Sequence, residues 1–387
     1  MAILFITHKH PPAVGGMERQ SYELIRHAGR MLPSRKIICA SQMTLPFFLF
    51  YRISARIRAI SAETDIRLIH LNDALLTLGL CRLRRATSAP VLCTVHGLDV
   101  VFPNAWYQRL VAGRLKQLDG IIAVSRATLE ECIKRGVQRQ RIEVVPNGVD
   151  PGLSRIPPDP TFIRDLERRI GIPLQNKRIL FSAGRPVRRK GVAWFLENVM
   201  PHLGPDVVYL IAGAAPPQDR LFRLASRLFP PGIARQAELF LGTGQDRTRQ
   251  FRQIHRLNLA KRAFILGRVS FPELVQLNKL CDLFVMPNIR VAGDMEGFGL
   301  TALEASACGA LVMASDIEGI PDAIADGKNG ILVRSGSPSG WIESIEAWLA
   351  EPDRQRQVAC DFQQYTCRHY SWERMAERYV SVFRKFL

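Results

Sequence analysis

The sequence lacks any run of the ~18 to 20 uncharged apolar residues that a bilayer span requires. It also lacks Cys-x-x-Cys and any cysteine/histidine metal spacing, although eight cysteines are scattered along it. That sets aside a zinc knot or a redox dithiol and leaves reduced thiols in a cytosolic setting as the simplest reading. Internal repeats, low-complexity tracts and aromatic motifs of the RNA-binding type are missing, so no nucleic-acid partner is expected. No Asp-x-Asp pair occurs either, and no catalytic metal or other cofactor is expected. The opening residues Met1–Thr7 carry no basic flank and are too short for a signal peptide, so they read as a first buried strand.

What is present is a chain of 387 residues, 47% apolar and 23% charged, long enough for two domains with separate cores. Its net charge of +18 asks for an acidic partner such as a nucleotide phosphate or an anionic lipid. Residues 1–150 hold 21 Lys and Arg against 11 Asp and Glu, and arginine dominates, which suits forked contacts to phosphate.

Strand-like and helix-like segments alternate throughout. Ile3–Thr7, Lys36–Ala40, Ile66–Leu71, Val91–Val95, Ile121–Val124 and Arg141–Val145 read as strands, with a helix over Met17–Met31. A proline-rich stretch from Pro151 to about Asn176 reads as a linker. The pattern then restarts with strands at Arg178–Ala183, Val207–Ala212, Ala263–Leu266, Leu283–Met286, Leu311–Ala314 and Gly330–Val333. Val192–Met200 reads as a helix, as do Trp341–Leu349, Arg354 to about Thr366, and Trp372–Phe386. Two blocks of βα units predict an α/β protein with two Rossmann-like, doubly wound parallel sheets, and ligands at the carboxyl ends of their strands in the gap between the blocks.

Four motifs fall at such strand ends. The first is Gly15-Gly16-Met17-Glu18, whose amides suit a phosphate or a hydroxyl, although simple turn chemistry explains a glycine pair as well. The second is Thr94-Val95-His96-Gly97-Leu98-Asp99, which sets His96 at the end of a strand. A structural, hydrogen-bonded histidine is the competing reading there. The third is Ser182-Ala183-Gly184-Arg185-Pro186-Val187-Arg188-Arg189-Lys190-Gly191, where Arg185 and Lys190 supply two cations able to neutralise a pyrophosphate. A solvated basic turn is its plainer alternative. The fourth and most informative runs from Asp294 to Glu304. It sets Glu296 and Glu304 eight positions apart around Gly297-Phe298-Gly299, between a buried strand and the helical pattern of Leu300, Leu303 and Ala307. A glycine turn opening a helix presents free N–H groups to an anion, and flanking carboxylates suit the hydroxyls of a sugar or ribose.

At these residues the chain resembles the retaining glycosyltransferases of the GT-B fold, family 4 (glycosyltransferase group 1). The most specific elements are Glu296-x7-Glu304 within Glu-Gly-Phe-Gly-Leu-Thr-Ala-Leu-Glu and the Gly-Arg-x4-Lys-Gly run of Arg185 and Lys190. Pro146-Asn147-Gly148-Val149-Asp150, Leu266-Gly267-Arg268-Val269 and Asp326-Gly327-Lys328-Asn329-Gly330 are also similar to the family. The resemblance implies an acceptor domain over 1–160, a nucleotide-sugar domain over 175–365, and a last helix, about 370–387, returning to the first domain. It implies that Gly16 lies near the donor phosphates and that His96 contacts the transferred sugar. Arg185 and Lys190 would hold the diphosphate, and Glu296 the sugar hydroxyls. Phe298, Gly299, Leu300 and Thr301 would bring amides to the phosphate, and Glu304 would bind the ribose. The implied reaction moves a hexose from a UDP- or GDP-sugar to a glycan or lipid-linked acceptor with retention, in cell-surface polysaccharide or glycolipid synthesis.

The chain departs from that pattern in two places. After Ile211-Ala212-Gly213 a long segment beginning Ala214-Ala215-Pro216-Pro217 runs to about Lys261. Leu45–Arg58 sets aromatic residues ahead of Arg52, Arg56 and Arg58. It reads equally as a bilayer-interface segment, with an anionic membrane surface as partner, or as a buried helix with a basic edge. Trp106 to Lys116 is a second basic, aromatic stretch. Two other classes fit the scaffold: a nonenzymatic sugar-nucleotide or nucleic-acid binder, and a sugar-nucleotide epimerase.

Overall fold

A computed structural model describes residues 2–13, 15–39, 45–214 and 246–387, with the backbone alone for Pro46 and Phe50. Much of the Ala214–Lys261 departure, residues 215–245, lies outside the described residues, as does Ala40 at the end of the second expected strand. The chain divides into two compact units. Unit 1 comprises residues 1–148, 295–300 and 370–387, and unit 2 comprises residues 149–294 and 301–369.

Unit 1 carries β1 (Ala2–Thr7), β2 (Ser34–Ile38), β3 (Ile66–Leu71), β4 (Val91–Val95), β5 (Gly120–Ala123) and β6 (Ile142–Val144). They form one sheet in the order β2-β1-β3-β4-β5-β6, parallel at every pairing. Every residue of β1, β4 and β5 is buried. The strands therefore read as unbroken apolar runs, because helices cover both faces. On one face the final helix, Trp372–Arg384, packs with Leu24 and Ala28 of the Gly16–Met31 helix against Phe5, Leu68, Leu92 and Ile122.

A buried polar chain fixes that helix. Gln20 Nε2 donates to the Tyr379 hydroxyl at 3.1 Å, which lies 3.0 Å from Thr94 Oγ1. Thr94 reaches His70 Nε2 at 2.9 Å, and His70 Nδ1 lies 3.0 Å from Asn72 Oδ1. Burial drives the His70 pKa down to about 3, so the ring is neutral. With Nδ1–H donating to Asn72 and Nε2 accepting from Thr94, every link has a donor and an acceptor.

Unit 2 carries β7 (Arg178–Ala183), β8 (Val207–Ala212), β9 (Ala263–Gly267), β10 (Leu283–Met286), β11 (Leu311–Asp316) and β12 (Ile331–Arg334). The order is β12-β11-β10-β7-β8-β9, again parallel throughout. Phe195, Tyr209 and Trp341 are fully buried, with the Phe195 and Trp341 rings edge to face at 5.8 Å.

The stretch read as a linker is structured instead, and it belongs to unit 2. Asp150 accepts from Gly152 N at 2.8 Å and opens a 3-10 turn at Pro151–Arg155. Phe162–Ile170 is a helix that buries Leu166 and ends at Gly171 with φ 74°. Gln276, more than a hundred residues away, hydrogen-bonds Asp159 N and the Pro157 carbonyl. Proline content suggested a spacer, but those long-range bonds hold the segment down.

Leu45–Arg58 is helical, through Leu45–Phe47, a π-helical stretch Phe48–Arg52 and the start of Ile53–Glu63. Leu45, Leu49, Ile53 and Ile57, spaced by four, enter the core. Phe47 and Tyr51 stay outside, and the Arg52 guanidinium lies 5.2 Å from the Phe47 ring centre.

Candidate functional site

Each sheet has one point where the strand order reverses, and ligands of open α/β sheets bind outside the strand ends there. In unit 2 that point lies between β7 and β10. The turn after β7 carries Gly184, Arg185 and Lys190 and closes at Gly191, whose φ is +69°. A Cβ on Gly191 would stand 1.7 Å from the Pro287 carbonyl oxygen, so only glycine lets this turn lie against the end of β10. The Lys190 stem folds back over Gly184. A small hollow opens at these strand ends, lined by Arg185, Lys190, Arg247, Gln250, Pro287 and Asn288 among others. Glu304 sits in the second turn of the Leu300–Cys308 helix and is 7% exposed, while Thr301 is half-buried in its first turn.

Two features of unit 2 escaped the sequence reading. Arg189, one of the four cations in the Arg185–Lys190 run, turns inward. Its Nη1 meets both carboxylate oxygens of Asp294 at 3.1 and 3.2 Å, with both residues buried. Nothing in local spacing signals a pair 105 residues apart. Arg247 is likewise buried, donates from Nη2 to the Gly213 carbonyl, and has its pKa lowered by burial. It lies within the segment, Ala214 to about Lys261, where the family pattern fails, so no motif pointed to it.

In unit 1 the reversal lies between β1 and β3. Gly16 opens the helix after β1, and a Cβ there would lie 3.6 Å from Leu300. Beyond β4, His96 Nε2 lies 2.8 Å from the Asn72 carbonyl oxygen. A carbonyl only accepts, so His96 Nε2 carries a proton and donates it to this bond. The next residue, Gly97, has φ +103°. A Cβ on Gly97 would stand 2.9 Å from Gly297 Cα, and one on Gly297 would stand 1.8 Å from the His96 carbonyl oxygen. The His96-Gly97 and Glu296-Gly297 turns therefore touch backbone to backbone.

Unit 1 thus holds Gly16, His96, Glu296, Phe298, Gly299 and Leu300, and unit 2 holds Arg185, Lys190, Thr301 and Glu304. Phe298 is buried and Gly299 has φ +97°.

Two parallel sheets, each with a glycine-bearing turn at its reversal point, make a two-Rossmann architecture of the GT-B type. A solved structure of Anabaena HepE in complex with UDP and glucose has the same fold, with a TM-score of 0.73 at 18% identity over 100% of both chains. The chain belongs to the family described as glycosyl transferases group 1, whose model matches residues 164–361. A second model, glycosyltransferase family 4, matches residues 14–153. Among curated relatives, the chain is 25% identical to alpha-maltose-1-phosphate synthase of Mycolicibacterium smegmatis over 76% of this chain and 73% of that one. It is 26% identical to the GDP-mannose-dependent alpha-(1-6)-phosphatidylinositol monomannoside mannosyltransferase of the same organism, over 85% of this chain and 79% of that one. The family and fold are those the motif resemblance implied.

Proposed function

We propose that this glycosyltransferase moves a hexose from a UDP- or GDP-sugar to a glycan or lipid-linked acceptor, with retention of configuration and without a metal. The observation that carries this reading is the basic turn of Arg185 and Lys190 over the hollow where the unit 2 strand order reverses. Breaking the anomeric C–O bond builds negative charge on the departing diphosphate. Arg185, Lys190 and the amides around Gly299–Thr301 stabilise that charge, each good contact contributing roughly 3 to 4 kcal/mol in the transition state. Glu296 binds the sugar hydroxyls, Glu304 the ribose, and His96 the transferred sugar, while Gly16 leaves room near the phosphates. The leaving phosphate takes the acceptor proton on the face from which it departs. The sequence has no Asp-x-Asp, and the two cations take the part a metal would play. The relative named as a GDP-mannose-dependent phosphatidylinositol monomannoside mannosyltransferase supports a nucleotide-sugar donor and a lipid-linked acceptor.

The enzyme works at the cytoplasmic face of an anionic membrane in this reading. Among the described residues no helix is long and apolar enough to cross a membrane. Phe47, Tyr51 and Trp106 are exposed by 52, 72 and 75%, and Arg52, Arg56 and Arg58 are exposed near the first two along the chain. Exposed aromatics beside arginines suit a lipid interface.

The test is product analysis by NMR with UDP-, GDP- and ADP-sugars and phosphorylated or lipid acceptors, with and without EDTA. The expected outcome is an α-linked product from an α-linked donor, formed equally with chelator. An inverted anomer or chelator-sensitive turnover contradicts the mechanism. Donor bound without nucleotide release indicates a binder instead, and donor interconversion without acceptor indicates an epimerase.

A further inference from the structure

Outside the residues given roles above, unit 1 has a carboxylate that joins two of its strand ends. Asp99, three residues after His96, accepts from His96 N through Oδ1 at 2.8 Å and from Ala74 N through Oδ2 at 3.1 Å. The His96 ring returns the link from the other side, donating to the Asn72 carbonyl at 2.8 Å. The segment after β3 and the segment after β4 are thus stitched twice, once through each residue's side chain. Tyr107, from the Ala105–Leu115 helix, donates its hydroxyl to the Asp99 carbonyl at 2.6 Å and anchors the backbone of the clamp. The clamped backbone ends in the His96 carbonyl that rests on Gly297, next to Glu296.

We propose that Asp99 is a positioning residue: its ionised carboxylate holds the His96-Gly97 turn, and with it the His96 ring and the adjoining Glu296 turn, in the geometry that the transfer reaction needs. This rests on the reading of His96 as a sugar contact. An ionised carboxylate accepts both amides at once, whereas a protonated one puts an O–H donor where one of the two N–H groups must bond. Protonation therefore costs the clamp one of its two amide contacts.

The surroundings set where that happens. Asp99 is half-buried. That burial first, and the neighbouring Asp73 carboxylate second, raise its pKa to about 6, against the opposing pull of His96 and the two amides. Tyr107, Cys93 and Cys132 are the other titratable groups facing it. All three pKa values are raised, and the groups stay neutral through that range. Turnover is then expected to fall about tenfold per pH unit below an apparent pKa near 6, as for a single essential ionisation.

The experiment measures kcat and KM for UDP-glucose and GDP-mannose from pH 4.5 to 8.5 in wild type, Asp99→Asn, Asp73→Asn and His96→Ala. A misplaced turn costs on the order of 10²-fold in rate, so Asp99→Asn should lower kcat by about that factor at pH 8, change the donor KM little, and erase the acid limb. Asp73→Asn keeps a cap for Leu75 N, since asparagine caps as aspartate does. It removes one negative charge and should move the acid limb to lower pH. If Asp99→Asn does not fold, the Asp73→Asn shift reads the same limb. An acid limb that survives in Asp99→Asn, or that stays put in Asp73→Asn, overturns the proposal while leaving His96 in its role. Full activity in His96→Ala overturns the reading of His96 itself, and the proposal with it.

Discussion

The two units hold their candidate residues in opposite ways. In unit 2 the two candidate cations come from one six-residue stretch, Arg185–Lys190, that folds on itself: Val187 N bonds the Arg185 carbonyl at 2.8 Å and Lys190 N the Val187 carbonyl at 3.0 Å. In unit 1 the candidate residues come from separate strand ends and a distant loop, held by the His96–Asn72 and Asp99–Ala74 bonds and by the Gly97–Gly297 contact. A local turn gives its chemistry to each side chain separately, so single removals should act alone. A stitched constellation should fail as a set.

The largest effect should come from the one place where unit 2 also relies on a distant partner. Arg189→Leu removes the buried cation that Asp294 pairs with and should lower the unfolding free energy by about 3 to 5 kcal/mol. Chemical denaturation measures this, and a loss below about 1 kcal/mol would mean the pair is not buried as described. Next come Arg185→Ala and Lys190→Ala, each expected to reduce kcat by roughly 10²- to 10³-fold with little change in melting temperature. A large fall in stability would instead place them in the stitching.

In unit 1, Gly97→Ala forces a side chain into a left-handed backbone and onto Gly297, and strain of this kind is worth on the order of 1 to 3 kcal/mol. Melting temperature and kcat should fall together; a change in only one would separate the turn's structural role from its chemical one. Tyr379→Phe removes one link of the buried chain and should destabilise by about 1 kcal/mol without altering donor KM.

The smallest effect tests sign. Burial and Asp73 hold the Asp99 pKa near 6 in the folded state, above its unfolded value. The native state thus binds this proton more tightly. The stability it contributes is fully present below the unfolded pKa and is lost as pH rises through about 6. The drop in melting temperature from pH 5 to 7 should be shallower in Asp99→Asn than in wild type. A steeper drop would mean that the carboxylate is stabilised as the anion.

The same contrast explains what the sequence disclosed. The twelve strands among the described residues were legible to within a residue or two, most of them because they are buried apolar runs. The Arg185–Lys190 and Glu296–Glu304 elements were legible because their spacing is local. Asp99 was quoted inside the His96 motif without a role, because its partner Ala74 arrives from another strand end. Arg189 and Asp294 were both in view, but only the folded chain pairs them. The Pro151–Asn176 stretch misled because its composition is that of a spacer and its anchor, Gln276, is remote. Leu45–Arg58 offered two readings; the structure buries an apolar stripe at every fourth residue and leaves Phe47, Tyr51 and the arginines exposed.

In the proposed function, Arg185 and Lys190 hold the diphosphate of the sugar donor. Calorimetric titration of UDP and GDP, beside uridine and guanosine, into wild type and Arg185→Ala/Lys190→Ala tests it most directly. Diphosphate affinity should fall by at least ~10²-fold in the double variant, as expected for two lost charge-assisted contacts of ~1.5 to 3 kcal/mol each, while nucleoside affinity stays unchanged. Equal diphosphate binding by the two proteins would contradict it.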